Sequence, residues 1–493
     1  MSDGKNKKAA APTKDKKTIG LTVKKSEDFS EWYTQVIVKA EVVDYTIVSG
    51  CFAFRPYGYA IWEKIVKEVD AKLKKMGVKN CYFPLFIPER LLKKEAEHVE
   101  GFAPEVAWVE TAGNTKLDER LAVRPTSETI MYDSYSKWIR SWRDLPLKLN
   151  QWNNVVRWEF KHPTPLIRTR EFLWNEGHTA FATREEAEQE IKDIMALWKD
   201  VTENLLALEG IAGMKSQSEK FAGAVASYSI EFFLPNGRAA QGPDAHFDGQ
   251  NFAKAFDITF LNEEGKKEYV WQNTWAITTR MIGIMAMAHG DDKGLVIPPN
   301  IAPIQVVIVP ILFEDSKKEV LAAAEKIKQQ LQKENITVEV DDRETYTAGW
   351  KFNEWELKGV PVRIELGPRD LQQKQAVLFR RDTLAKESIK LEAVAAAAKK
   401  KLEEIQDSLL KKSRQQLESS IVAAKSIAEV AAAVKNKKLA KAYFCGTKKC
   451  EAEVKEKADG ANSRCMTLGE KERKGSCIVC GKEGVVAWFG KAY

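Results

Sequence analysis

The stretch VVRWEFKHPTPLIRTREFLWNEGH (residues 155–178) decides how the chain is read. Its two ends each alternate as strands do, where side chains two apart share a face. In VVRWEF (155–160), Val156, Trp158 and Phe160 make an apolar face, and Arg157 and Glu159 point the other way. In RTREFLWNEGH (168–178), Phe172, Trp174, Glu176 and His178 share one face. A loop containing KHPTPLI joins the two. Paired antiparallel, they would gather Arg157, Glu159, Phe172, Trp174, Glu176 and His178 on one side of a sheet. Such a face suits neither a core nor a solvated surface, but it has a chemical use. An arginine grips a carboxylate or phosphate through two hydrogen bonds. An aromatic ring stacks on a purine. A carboxylate receives an ammonium, and Arg168 and Arg170 in the loop can close over phosphates. Taken singly, Arg157 and Glu159 also read as solvated charges on a half-buried strand. His178 alone reads as a hydrogen-bonded sheet histidine.

The 493 residues suffice for two or three domains with real cores. With 44% hydrophobic and 30% charged residues, the composition is that of a soluble globular protein. There is no run of about 18 apolar residues, so no transmembrane helix is expected. The N-terminus MSDGKNKKAAAPTKDKK is lysine-rich and lacks an apolar segment, so residues 1–20 read as a basic disordered tail rather than a secretory signal. A net charge of +7 is compatible with a polyanionic partner without demanding one. Seven cysteines do not suggest a disulfide scaffold, and a reducing, cytoplasmic setting is expected.

Around the opening stretch, residues 21–302 mix aromatic-rich strands and helices without a βαβ rhythm. That predicts an α+β domain built on an antiparallel sheet. RPYGYAIWEKIVKEVDAKLKKMG (55–77) carries Ile61, Ile65, Val69, Leu73 and Met76 at helical spacing, with Pro56 near its start and Gly77 at its end. After IPPNIAP the rhythm changes. A buried strand, a helix with Asp315 as N-cap, and three short strands predict a small α/β domain over 303–390. Residues 391–493 read as a helical linker and a small C-terminal α/β domain. There Cys445 and Cys450 form C-x4-C, and Cys477 and Cys480 form C-x2-C. Four thiolates so spaced suit a closed structural Zn²⁺ site. Buried free thiols are the alternative, and Cys465 needs no role.

The pattern R-x-E, loop, R-x-x-x-F-x-x-x-E resembles motif 2 of the class II aminoacyl-tRNA synthetases. In that family the first arginine, here Arg157, bridges the amino-acid carboxylate and the ATP α-phosphate. The loop arginine, here Arg168, meets the terminal phosphates, and the phenylalanine, here Phe172, stacks on adenine. QNTWAITTRMIGIMAMAHGDDKG (272–294) resembles motif 3, with Arg280 covering the other face of adenine. Residues 56–88 resemble motif 1, a dimer-interface helix and strand, which implies a homodimer. LAVRPTSET (121–129), WNEGH and EKFAGA (219–224) resemble the proline-binding segments of the family's prolyl branch. The resemblance places Thr126 and Glu128 at the secondary amine of proline, Trp174, His178 and Phe221 around its ring, and Thr274 on the floor. Glu128 by itself also reads as a first-turn acid favoured by the helix dipole. Glu176 either faces proline or holds Trp174 or His178 in place.

One segment departs from the family. In QGPDAHFDGQNF (241–252), Gln241, His246 and Gln250 fit, but Asp244 stands where a threonine is usual. An acid there could repel the triphosphate or help hold a metal ion, and both readings stay open. Only 107 residues separate Phe172 from Arg280, too few for the editing insertion of typical bacterial relatives. The chain therefore resembles the archaeal and eukaryotic form. PVRIELGPRD and AVLFRRD resemble the branch's anticodon-binding domain. Glu365 suits the Watson–Crick edge of guanine, and Arg369 suits its O6 or N7.

The resemblance implies ATP-dependent formation of prolyl-adenylate, with Mg²⁺, and transfer to tRNA(Pro). A threonyl enzyme and a non-catalytic tRNA-binding relative are the other readings; a larger synthetase complex is a candidate partner of the prolyl reading. The threonyl enzyme needs Cys and His ligands for a catalytic zinc, and no such set is visible. Non-catalytic relatives commonly lose the motif arginines, and all are present here.

Overall fold

The structure, a computed structural model, describes residues 20–98, 105–159, 162–468 and 474–493. The expected basic tail, up to residue 19, and Phe160 lie outside the described residues.

Helix α1 (Phe29–Lys39) is capped by Asp28, whose carboxylate accepts from the backbone N–H groups of Ser30 and Glu31. Helix α2 (Pro56–Lys75) starts on its proline and buries Ile61, Ile65, Val69 and Leu73, as the spacing predicts. Each such side chain contributes roughly 1.5–3 kcal/mol on burial. Strand β1 (Lys79–Asn80) and helix α3 (Glu128–Trp138) follow, then β2 (Leu147–Val156) and β3 (Glu171–Phe181). Helix α4 (Arg184–Asp200), strands β4 (Ile211–Met214), β5 (Ala226–Phe233), β6 (Arg238–Gly249) and β7 (Trp271–Ala276), and helix α5 (Arg280–His289) complete this part.

Strands β2 and β3 form the expected antiparallel pair, with Val155 opposite Phe172 and Gln151 opposite Glu176. The sequence reading overruns here. Strand β2 stops at Val156, and Trp158 is 41% exposed in a turn rather than part of a core face. The reason is that the chain bends into the loop once Arg157 has donated its N–H to the Arg170 carbonyl. Both faces of β3 are buried. On the side away from Trp174, Asn175 donates to Asn150 and Thr179 donates to Glu190 of α4. Gly177 is required there, because a Cβ would fall 2.2 Å from the Trp275 ring of β7.

The second unit holds β8 (Val306–Pro310), α6 (Lys317–Lys333), β9 (Val338–Val340), α7 (Ala348–Lys358), β10 (Val362–Leu366), α8 (Pro368–Gln372), β11 (Gln375–Arg380) and β12 (Lys386–Lys390). The strand order β9-β8-β10-β11-β12 is parallel over the first three and antiparallel after β10. Every residue of β8 is buried, as in a central parallel strand. Asp315 does not cap α6: it sits inside a short 3-10 turn, and Ser316 takes the N-cap position. Helix α9 (Val394–Ser420) packs Val394, Ala398, Leu402, Ile405 and Leu409 into the same core as β8 and β10.

The C-terminal residues contribute β13 (Ile421–Ala423), β14 (Leu439–Phe444), β15 (Asn462–Met466) and β16 (Glu483–Ala492). They extend the first domain's sheet rather than standing apart. The order β13-β14-β16-β15-β4-β5-β6-β7-β3-β2-β1 runs through one twelve-stranded sheet, with Gly475–Ser476 pairing at its side. The last residues of β16 also run parallel to Arg238 and Ala239 of β6.

Candidate active site

Strand β3 sets the centre of the site. Trp174, Glu176 and His178 alternate on its inner face and are almost fully buried. With Thr126, Glu128, Arg157, Phe221, His246 and Thr274 they line one cavity of about 250 Å³. Thr126 donates a short hydrogen bond to Glu128, which opens α3. Four residues on, Tyr132 approaches His178 Nδ1 at 3.3 Å. Phe221 stacks on His246 at 4.7 Å, and His246 Nδ1 lies 2.9 Å from Ser227 Oγ. Burial holds the His246 imidazole below its ordinary range, although Asp244 pulls the other way.

Glu176 is held from behind. Gln151 Nε2 donates to Glu176 at 3.2 Å and to Ser127 at 2.7 Å, and His178 Nε2 lies 3.4 Å from Glu176. Burial pushes the Glu176 carboxyl up, but His178, Ser127 and Gln151 outweigh it and leave it below the usual range. Trp174 does not use Glu176: its indole N–H goes to Asn153 at 2.7 Å.

A second cavity of about 110 Å³ shares Arg157, Trp174, Gln241, Asp244 and Ala276 with the first. Leu166, Ile167, Phe172, Trp174, Gln241, Asp244 and Arg280 line it, and Arg157 lines both. Arg157 is anchored by Nε to the Pro125 carbonyl at 2.9 Å, with its guanidinium 5.6 Å from Phe172 and 5.2 Å from Trp174. Arg280 opens α5 and is fixed by the carbonyls of Ile167 and Gln241 at 3.1 and 3.3 Å. Asp244 accepts from Gln241 Nε2 at 2.8 Å and lies 3.7 Å from His246 Nε2. Arg168 donates to the carbonyl of Tyr493, at a third cavity shared with Arg280 and Arg464. Glu159 is outside all three, exposed in the turn after β2.

The sequence reading did not single out Lys215, Glu219 or Ser227, which also line the first cavity. Lys215 offers no local signal, since it is defined by a long-range ion pair with Glu231. Tyr132 was visible in principle, one helical turn beyond Glu128.

The remaining expected residues fall elsewhere. Glu365 on β10 is buried and accepts from Arg363 and from Lys386. Arg369 is exposed in α8. Arg381, just past β11, is wholly buried and bonded to Asp291. The thiols of Cys445, Cys450, Cys477 and Cys480 lie within 4.8 Å of one another, a spacing that fits one tetrahedral ion.

Comparison with known proteins matches three successive families. Residues 108–289 match the tRNA synthetase class II core domain (G, H, P, S and T), 305–401 an anticodon binding domain, and 427–493 the prolyl-tRNA synthetase C-terminal domain. The chain is 48% identical to a proline--tRNA ligase of Natranaerobius thermophilus, covering 95% of this chain and 97% of that protein. It is 49% identical to proline--tRNA ligase 2 of Clostridioides difficile, covering 97% and 99%. It is 48% identical to the cytoplasmic proline--tRNA ligase of Arabidopsis thaliana, covering 95% and 88%. A crystal structure of Cryptosporidium parvum prolyl-tRNA synthetase with halofuginone and AMPPNP superposes with a TM-score of 0.92 at 44% identity, covering 96% of this chain and all of that one.

Proposed function

This chain belongs to the proline–tRNA ligase family of class II synthetases and is a ligase that activates proline with ATP and joins it to tRNA; from that premise we propose how its residues divide the work. The observation that carries the assignment is the wall shared by the two cavities, with Arg157, Trp174, Gln241 and Asp244 lining both.

Proline occupies the larger cavity. Thr126 and Glu128 receive its secondary amine, Trp174, His178 and Phe221 wall its ring, Thr274 lies beneath, and His246 backs Phe221. Glu176 positions His178. ATP occupies the smaller cavity, with adenine between Phe172 and Arg280 and with Gln241 and Asp244 beside the phosphate path. Glu159 is a further ATP contact on closure of the loop. Arg157, at the junction, holds the proline carboxylate against the α-phosphorus. A carboxylate oxygen then bonds to that phosphorus, and the bond to the β-phosphate breaks, releasing pyrophosphate. Next the terminal ribose hydroxyl of tRNA(Pro) attacks the prolyl carbonyl and AMP leaves. No enzyme nucleophile is needed. Arg157, Arg168 and Arg280 act by positioning and by stabilising charge. To reach a terminal phosphate, Arg168 must release the Tyr493 carbonyl.

Mg²⁺ would neutralise phosphate charge. We assign Mg²⁺ to the incoming ATP, because this ion is usually held by substrate phosphates and one or two carboxylates. The four clustered cysteines would hold a structural Zn²⁺, pinning the C-terminal module. We place the catalytic domain at 21–302, the anticodon-binding domain at 303–390 and the C-terminal unit at 391–493. Arg369 and, once released from Lys386, Glu365 would read guanine. Exposed Tyr59, Tyr82 and Phe86, on α2 and the strand region after it, support a homodimer. No helix among the described residues is long and apolar enough to cross a membrane, and the cytoplasmic Arabidopsis relative supports the same location here.

ATP–pyrophosphate exchange with each amino acid in turn tests the reading. Exchange with proline is expected. Exchange with another amino acid but not proline would overturn it, and exchange with none would favour a tRNA-binding role.

A further inference from the structure

A buried acid lies behind the amino-acid cavity. Asp248, two residues past His246 on β6, is completely buried, and neither of its carboxyl oxygens has a hydrogen-bond partner among the described residues. Two neighbours share that condition. The Thr274 hydroxyl and both amide atoms of Gln272 are buried and unpartnered. The register sets the three side by side: His246 pairs with Thr274 and Gly249 with Gln272, with an irregularity at Asp248 between them. Thr274 lines the amino-acid cavity.

Buried polar groups in native proteins find partners, and an ionised carboxylate without one is strongly disfavoured. Burial is the main force pushing this carboxyl well above the ordinary carboxylate range. The negative charge of Glu128 adds to it, with Thr274 and Lys220 opposing. Asp244 and His246 on the same strand, and Glu176 and His178 on β3, are other titratable groups on this face. A protonated carboxyl is a donor as well as an acceptor.

We propose that Asp248 is a positioning residue of the amino-acid pocket. Its neutral carboxyl accepts from the Gln272 amide and donates to Thr274, fixing that hydroxyl on the floor beneath bound proline. One chain of hydrogen bonds then gives each of the three side chains a partner, leaving only the Gln272 carbonyl oxygen of the orphaned atoms unmatched. The proposal rests on reading the larger cavity as the proline site.

The test is ATP–pyrophosphate exchange at varied proline and saturating ATP. Proline-dependent exchange by the unaltered chain checks the underlying reading, and its absence overturns both. Given that exchange, Asp248→Leu, which keeps the branched shape but not the donor, should raise KM for proline about tenfold, with kcat changed by less than about twofold. Asp248→Asn, which keeps an N–H donor, should stay within about threefold of the unaltered KM. In a Thr274→Val background, Asp248→Leu should add nothing further. KM should rise with pH as the acid ionises, and that limb should be missing in Asp248→Asn. An unchanged KM in Asp248→Leu, or the same penalty with and without Thr274, overturns the proposal.

Discussion

Arg464 of the C-terminal module grips Glu231 of the catalytic sheet through two hydrogen bonds of 3.0 and 2.7 Å, and both side chains are buried. Lys215 completes the cluster, donating to Glu231 and to the Arg464 carbonyl. Breaking a buried ion pair typically costs about 3–5 kcal/mol, and with Arg464 removed Lys215 alone remains on Glu231 to offset part of that loss. Arg464→Ala should therefore lower the urea midpoint sharply. A midpoint within error of the unaltered chain would show that the module is held by packing alone.

The same cluster sets part of the acid stability. Glu231 is held at about 2, burial being outweighed by Arg464 and Lys215. Its stabilisation is complete above the ordinary glutamate range and is lost as pH falls through that range toward about 2. His289, buried against the Leu206 carbonyl, is held down at about 4, chiefly by burial. The unfolded chain protonates this histidine first, so stability also falls as pH drops from the ordinary histidine range toward about 4. His289→Gln should flatten the upper window and leave the lower one, as read by urea midpoints across pH.

Arg157 spans both cavities. Arg157→Ala should reduce proline-dependent ATP–pyrophosphate exchange by a factor on the order of 10²–10³, the usual cost of removing one charge-stabilising donor. Near-normal exchange would place the carboxylate and the α-phosphate elsewhere.

Arg381 joins the second domain to the first by donating to both oxygens of Asp291, at 2.7 and 2.5 Å. Asp291→Ala leaves this fully buried guanidinium with only the Glu356 carbonyl. A loss of about 1–3 kcal/mol is expected, since a buried donor is left unpaired. Thermal unfolding would register it, and an unshifted transition would mean that water replaces the carboxylate.

Arg369 is exposed on the second domain, far along the chain from the cavities. Arg369→Ala should raise KM for tRNA(Pro) by about tenfold, equivalent to one base contact, while exchange stays unchanged. A matched loss of exchange would make its role structural.

Removal of metal bears on the C-terminal module. About one zinc per chain is expected by elemental analysis, and Cys480→Ser should lower both zinc content and melting temperature. Zinc-free protein with an unchanged melting temperature would leave the four thiols without a ligand role.

Much of this was local and therefore legible. The period-two pattern of β3 settled which side chains share the cavity-lining face, because alternate residues of a strand must point the same way. The helical spacing of α2 and the paired cysteines were equally visible. Strand ends were not. Trp158 has the alternation of a core residue, yet the chain turns at Arg157, where a backbone bond to Arg170 takes over.

What only the tertiary structure decided was the company each residue keeps across long sequence distances. Glu365 has the chemistry to read a base but is engaged by Arg363 and Lys386. Asp248 lies in a strand whose sequence gives no hint that its carboxyl is sealed from water beside Thr274 and Gln272. The C-terminal strands, which looked like a separate module, complete the catalytic sheet and bring Tyr493 to Arg168. Side-chain chemistry and local period are written in the chain, but burial and pairing depend on which distant surfaces meet, and those settle whether a charge faces a substrate, an ion-pair partner or nothing at all.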